Sequence, residues 1–414
     1  MTLVDRDRAV VWHPYTQMKD ALPPLAIARG QGVYLFTEDG RKLLDGISSW
    51  WVNIHGHAHP RLNQALAEQA KKIEHVIFAG ATHEPAVDLA ERLVGILPAG
   101  LTRIFYSDNG STAVEVAVKL AVQYWRNQRR PERTRIVALR HAYHGDTIGA
   151  MSVSDESVFT APFTSMLFPV DRIEPAELDE HLRTHADRTA AVIVEPMLQG
   201  AGGMIMWPAD ALARVREVCY RHGILLIADE VLTGFGRTGR MFACEHAAVT
   251  PDIICLSKAL TAGYMPMAVT AATNAIFEAF LSDDRTKTFF HGHSFTANPL
   301  ACAVALASLD LMEEGNVLAR IQRLERQMRD GLSPLAHVPS VADVRVLGGV
   351  GVVELRSGGG YLDNIGPRLY QAFLERGILL RPLGNVLYFM PPYVISDADA
   401  DWVIQQMGDV VKSL

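Results

Sequence analysis

An α/β fold with a mostly parallel central sheet is the class this sequence predicts, and two observations predict it. Five short apolar runs, RIVAL from Arg135, AAVIVE from Ala190, ILLIADE from Ile224, IICLS from Ile253 and MAVTAA from Met267, are nearly continuous and carry β-branched residues. Such runs are strands covered on both faces. Between two of them, Ala209 to His222 sets Leu212, Val215, Val218 and Cys219 at helical spacing and stops at Gly223. That makes one strand–helix–strand crossover.

The remaining elements follow in chain order. VYLFTEDGRKLLDG from Val33 reads as a hairpin-like piece. After SDNGST, which begins at Ser107, the residues Ala113, Val114, Ala117, Val118 and Ala121 form an apolar stripe, so a helix starts there. Gly110, Ser111 and Thr112 then lie at its N-terminus, where free N–H groups, hydroxyls and the helix dipole hold an anion, or where Ser and Thr act as an ordinary cap. From about residue 314 the pattern changes: helical stretches at 317–330, 363–376 and 397–411 alternate with the short strands VVEL and VLYFM. The expected organisation is a large domain over 50–313 and a smaller α+β domain made of 1–49 plus 314–414.

Composition narrows the partners. In 414 residues, 39 Lys plus Arg stand against 46 Asp plus Glu, a net charge of −7 spread along the chain, which recommends neither nucleic acid nor an anionic membrane. Cys219, Cys244, Cys255 and Cys302 show no C-x-x-C spacing and sit mostly in apolar runs. Buried free thiols in a cytoplasmic, reducing compartment are expected, and no metal site. Charges in MTLVDRDRAVVWHPYTQ occupy the place of a signal peptide's apolar region. The uncharged stretch Ala259 to Phe277 contains Gly263, Pro266 and Asn274, which favours strand and turn over a membrane span.

GFGRTG, residues 234–239, spells a dinucleotide-binding fingerprint. That motif needs a strand ending at its first glycine and a helix opening after it. Asp229, Glu230 and Thr233 intervene, and RMFACEH is a poor helix start, so an NAD-dependent dehydrogenase is a weak alternative.

Three ionisable residues fall at strand ends, where open α/β sheets bind ligands: Glu195 after AAVIV, Asp229 after ILLIA and Lys258 after IICLS. Keeping such groups charged and unpaired at the end of an apolar strand costs several kcal/mol. Ion pairing could account for two of them, whereas three suggest a site. A lysine in apolar surroundings has a lowered pKa and forms a Schiff base with a carbonyl, and a buried aspartate pairs with a pyridinium nitrogen. With the anion cup at 110–112, these parts match pyridoxal 5′-phosphate (PLP).

SDNGSTAVEVAVKLA, HAYHGDT, VEPMLQGAGG, ADEVLTGFGRTG, LSKALTAGYMPMA and HGHSFTANPLACA, in this order, resemble the class-III PLP-dependent aminotransferases of fold type I, over nearly the whole chain. The resemblance implies that Lys258 carries the cofactor, Asp229 holds the ring nitrogen protonated, Tyr143 and Val231 pack on the two ring faces, and Gly110 and Ser111 take the phosphate. It also implies a homodimer in which Ser294, standing where threonine is usual, reaches the phosphate of the neighbouring subunit. Gly292 in the same stretch is expected at the substrate. Glu195 either orders the cofactor's surroundings or pairs with an arginine, and His144 orients or packs.

WHPYTQM from Trp12 and DGISSWWVNIHGHAHP from Asp45 are similar to the branch of that family that makes 7,8-diaminononanoate for biotin from 8-amino-7-oxononanoate, with S-adenosylmethionine as donor. A long apolar keto acid with a remote carboxylate needs aromatic walls and a distant cation. Tyr15, Trp50 and Trp51 are expected as walls. The resemblance implies Arg381 at the carboxylate, Arg237 as a second substrate contact and Asp146 near the substrate amine. Lysine as donor, and another ω-amino acid substrate such as ornithine, 4-aminobutyrate or β-alanine, remain open.

Overall fold

The computed structural model describes residues 1–358 and 360–414. Its large sheet has seven strands, in the order Leu101–Ser107, Ala268–Thr273, Ile253–Leu256, Leu225–Asp229, Thr189–Val194, Arg135–Leu139 and Val170–Ile173. Only Ala268–Thr273 runs against its neighbours. The cause is local: the chain goes from Leu256 to Ala268 through the turn Lys258–Thr261, and without a crossover helix it can only come back antiparallel.

Alternate residues of the central strands face opposite layers. Ile136, Ala138, Ile193, Leu225 and Ile227 pack with the helix Gly110–Asn127, whereas Val137, Val192, Val194 and Leu226 pack with Leu178–His185 and Ala209–His222. Each of the Val, Leu and Ile side chains contributes about 1.5–3 kcal/mol by leaving water, which is why the five runs carry almost no polar residues. The two strands that the apolar pattern does not announce, Leu101–Ser107 and Val170–Ile173, are the two edges of the sheet. There, partial cover admits Thr102, Arg103, Asp171 and Arg172.

The hairpin is present as Tyr34–Thr37 against Lys42–Asp45. It is extended by Ile27–Gln31 on one side and by the C-terminal strand Ile378–Leu379 on the other, where Ile378 pairs with Leu44. Val33, Leu44 and Ile47 share a core with Met328, Val352, Phe373, Phe389 and Val403. This core lies among the helices Val317–Leu332, Ile365–Glu375 and Asp397–Lys412 and the antiparallel strands Val341–Leu347, Val350–Leu355 and Val386–Phe389. The N-terminal segment therefore packs with the C-terminal one. All four cysteines are free and buried. Among the described residues no helix is long and apolar enough to cross a membrane.

Candidate active site

Parallel strands deliver their carboxyl ends to one edge of the sheet. Asp229 closes one strand, Lys258 and Glu195 follow two others, and the loop with Tyr143 and His144 follows a fourth. The helix at Gly110 starts just past a fifth. Gly110, Ser111, Tyr143, Glu195, Asp229, Val231 and Lys258 line a single cavity of about 400 Å³, and Trp51 forms part of its wall.

Asp229 is held from two directions. Its Oδ2 accepts from His144 Nδ1–H at 2.7 Å and its Oδ1 from the Val231 N–H at 3.0 Å. His144 is buried, and its Nε2 has no partner among the described residues. Its geometry fits an orienting residue. Glu195 meets no arginine among the described residues. Its two oxygens accept from the Tyr143 and Gly200 N–H groups, each at 2.9 Å, so it ties together the loops on either side of the cavity. Burial, with Asp229 adding to it, pushes the Glu195 carboxyl up to about 7.

Lys258 sits half-buried at the cavity floor with φ 45°, an unfavourable value for a residue with a side chain. Its Nζ lies 4.6 Å from the Trp51 ring centre. Desolvation pulls its amine down to about 8, against the opposing pull of Asp229 and Glu195.

The helix start divides its amides. Asn109 Oδ1 accepts from the Thr112 N–H at 3.0 Å, and Asn109 O accepts from the Ala113 N–H. The N–H groups of Gly110 and Ser111 are left for an outside acceptor. Thr112 thus serves as part of the cap, while Gly110 and Ser111 form the cup. Ser111 Oγ accepts from the Asp146 N–H at 3.2 Å. The HAYHGD loop comes this close because Gly145 has no side chain: a Cβ there would lie 2.0 Å from Ser111 Oγ.

Aromatic residues make the rim. Ser48 through Trp51 have φ values of 50°, 45°, 72° and 74°, one left-handed helical turn closed by the Trp51 N–H to Ile47 O at 2.8 Å. For four residues with side chains this costs on the order of 4–8 kcal/mol. The turn aims Trp51 at Lys258 and gives its Nε1 to Tyr388 OH at 3.1 Å. Trp50 meets Tyr15 edge-on at 5.4 Å and lies under the Arg381 guanidinium at 5.1 Å. The Tyr15 hydroxyl donates to Asp146 and is 3.2 Å from Tyr143 OH. Phe159 packs against Tyr15, Tyr143 and Tyr361. Sequence reasoning missed Phe159, Tyr361 and Tyr388: VLYFM announces only a strand, and a single aromatic in a loop carries no signal by itself.

GFGRTG is a buried run of turns with φ 94° at Gly236 and 90° at Gly239, followed by the short 3-10 turn Ala243–Ala247. No helix opens after it, so the nucleotide fingerprint lacks its anion site. Arg237 is 1% exposed. It donates to Pro391 O at 3.2 Å and lies 4.7 Å over the Tyr393 ring, with no carboxylate within ion-pair distance among the described residues. Its charge, lowered in pKa by burial, influences Lys258. Gly292 and Ser294 are exposed and do not line this chain's own cavity.

Comparison with known proteins covers nearly the whole chain. A family model for class-III aminotransferases matches residues 15–411. The adenosylmethionine-8-amino-7-oxononanoate aminotransferase of Synechococcus elongatus is 49% identical, over 98% of this chain and 99% of that one. The crystal structure of the enzyme of that name from Methanocaldococcus jannaschii superposes with a TM-score of 0.96 at 37% identity, over 99% of this chain and 98% of that one. A PLP-bound amine transaminase from an uncultivated Pseudomonas species superposes at 0.88 and 35% identity, over 96% and 97% of the two chains.

Proposed function

The chain belongs to the class-III aminotransferases, and from that premise we propose that it converts 8-amino-7-oxononanoate to 7,8-diaminononanoate with S-adenosylmethionine as amino donor. Its cofactor is PLP. The observation that carries the reading is the strand-end Lys258–Asp229 pair in one cavity with Tyr143 and Trp51, from which a chain of contacts runs through Tyr15 and Trp50 to Arg381 in the neighbouring cavity. The relatives' shared name supports it at 49% identity.

The donor set suits the cofactor. Gly110 and Ser111 would hold its phosphate, Asp229 its ring nitrogen, Tyr143 and Val231 its two faces, and Lys258 its aldehyde carbon. When bound, PLP supplies an electron sink for the pair left when a substrate Cα loses its proton. The protein supplies the rest. His144 and the Val231 amide hold Asp229 aimed. Lys258, with an amine near 8, exists partly neutral at neutral pH and can take and return a proton. The Tyr15–Trp50–Trp51 rim excludes water along the alkyl chain. Arg381 offers two parallel N–H donors to the far carboxylate, and Arg237, buried with no carboxylate within ion-pair distance among the described residues, offers a second contact.

We infer that the enzyme is a cytoplasmic homodimer whose Ser294 completes the partner's phosphate site. Phe290 and Phe295, 75% and 61% exposed on either side of Ser294, suit an interface, and four unpaired thiols suit a reducing compartment. The division into 50–313 and 1–49 plus 314–414 is likewise our reading, supported by the pairing of Ile378 with Leu44.

Stepwise spectroscopy tests the function. S-adenosylmethionine should convert the aldehyde form of the cofactor to the amine form, and 8-amino-7-oxononanoate should then return it. Return after chemical preparation of the amine form, with no response to S-adenosylmethionine, would leave only the donor wrong. Silence toward the keto acid, with conversion by 4-aminobutyrate, ornithine or β-alanine, would overturn the substrate.

A further inference from the structure

The left-handed turn Ser48–Trp51 places both tryptophans of the rim, and nothing in its own composition favours that conformation: it contains no glycine. Something outside the turn must hold it. The carboxylate of Asp45 is fully buried and is spent on this turn. Its Oδ1 accepts from the Ser49 N–H at 2.9 Å and the Ile47 N–H at 3.3 Å, and its Oδ2 from the Ser49 hydroxyl at 2.7 Å. The same Oδ2 accepts from His57 Nε2–H at 2.9 Å, and His57 Nδ1 accepts from the Asn53 side-chain amide at 3.1 Å. Asn53 and His57 lie on the segment that leaves the turn, so the chain is clasped just before and just after Trp50 and Trp51. On the far side, the Ser48 hydroxyl donates to Met390 O at 2.7 Å.

We propose that Asp45, fixed by His57 and Asn53, is a positioning residue for substrate selection: its carboxylate keeps Ser48–Trp51 left-handed and so sets the aromatic wall that receives the alkyl chain of the keto acid. The inference rests on the proposed substrate for its kinetic part alone. Asp45 touches neither Lys258 nor the cup at Gly110 and Ser111, so its loss reaches the floor only through Trp51, whose ring faces Lys258 Nζ at 4.6 Å.

The test uses full-length holoenzyme carrying Asp45→Ala, alone and combined with Ser49→Gly. Glycine enters the left-handed region without a steric penalty, so it restores the turn only if holding that conformation is what Asp45 does. Asp45→Ala is expected to raise KM for 8-amino-7-oxononanoate on the order of tenfold, the population change that losing the support of one left-handed residue produces. kcat should fall less than KM rises, and the near-UV circular dichroism of the tryptophans should change. Ser49→Gly in the same chain should recover most of both effects. Unchanged KM and dichroism, or losses that Ser49→Gly leaves untouched, would overturn the proposal. Should Asp45→Ala fail to fold, Asp45→Asn takes its place. Its single amide oxygen cannot serve both the Ile47 and Ser49 N–H groups on one side and the Ser49 hydroxyl and His57 on the other, so the same shifts should appear at smaller size, and their absence refutes the role equally. If the wild-type enzyme itself ignores the keto acid, the proposed substrate fails, while the dichroism and its recovery by Ser49→Gly still decide the role of Asp45.

Discussion

The floor and the rim of the cavity are built on different principles. At the floor, Glu195, Asp229 and Lys258 stand at or just past the ends of neighbouring strands of one sheet, and their places follow from strand register. At the rim, Tyr15, Trp50, Phe159, Tyr361 and Arg381 come from five separate segments, joined by ring contacts and a strained turn. A floor of that kind can be common to many aminotransferases, because a strand end is hard to move. A rim of loops can change residue by residue, which is where substrate choice is made. Substitutions at the floor should therefore abolish turnover with every substrate, and substitutions at the rim should tell substrates apart.

The same division governs what the sequence discloses. A charged residue ending an apolar run is conspicuous, so Lys258, Asp229 and Glu195 stand out without any homologue, as does the helix start at Gly110. What Glu195 and His144 do was not legible, because the Tyr143 and Gly200 amides and the Asp229 carboxylate meet them only after folding. Trp50 and Trp51 are conspicuous as a pair, but their left-handed backbone is not, since the sequence there offers no glycine to announce it. Edge strands are hidden for a related reason: Leu101–Ser107 and Val170–Ile173 lack cover on one side and lose the apolar signature.

Lys258→Ala is the largest break available. Overall turnover should fall about 10⁴-fold, the upper end of what a positioned proton-transfer group contributes. The cofactor should still bind through Gly110, Ser111 and Asp229, but borohydride should no longer fix it to the chain. A variant that still gives a covalent reduced adduct would remove Lys258 from the floor.

The lowered pKa of Lys258 gives the next effect. With its amine near 8 instead of 10.5, the neutral fraction at pH 7 is larger by about 300-fold. Because the depressed group loses its proton earlier, the rate at which apo-enzyme captures PLP should rise tenfold per pH unit up to about 8 and then level off. A rate still climbing at pH 10 would show an ordinary lysine, and the apolar floor would then not be tuning its base.

At the rim, Arg381→Ala should raise KM for the keto acid by about 10–100-fold, the worth of a hydrogen-bonded charge at 1.5–3 kcal/mol. The half-reaction with an amine that carries no remote carboxylate should keep its rate. Equal losses on both substrates would mean that Arg381 supports the fold of the rim through its stacking on Trp50 and does not read the carboxylate.

Tyr15→Phe makes the finest cut between the two regions, because Tyr15 joins them. Its ring belongs to the rim, edge-on to Trp50 at 5.4 Å and to Phe159 at 5.7 Å. Its hydroxyl reaches toward the floor, donating to Asp146 and lying 3.2 Å from the Tyr143 hydroxyl. Burial and then the Asp146 bond push that hydroxyl up to about 12, so it stays protonated across the working pH range, giving its one hydrogen to Asp146 and accepting from Tyr143. Phenylalanine keeps the packing and removes the bond. A hydrogen bond of this kind is worth about 1 kcal/mol net, so KM for the keto acid should rise about fivefold with kcat nearly unchanged. A fall in kcat of about 100-fold or more, on every substrate, would place the hydroxyl within the chemistry of the floor and move the boundary between the two regions outward to Tyr15.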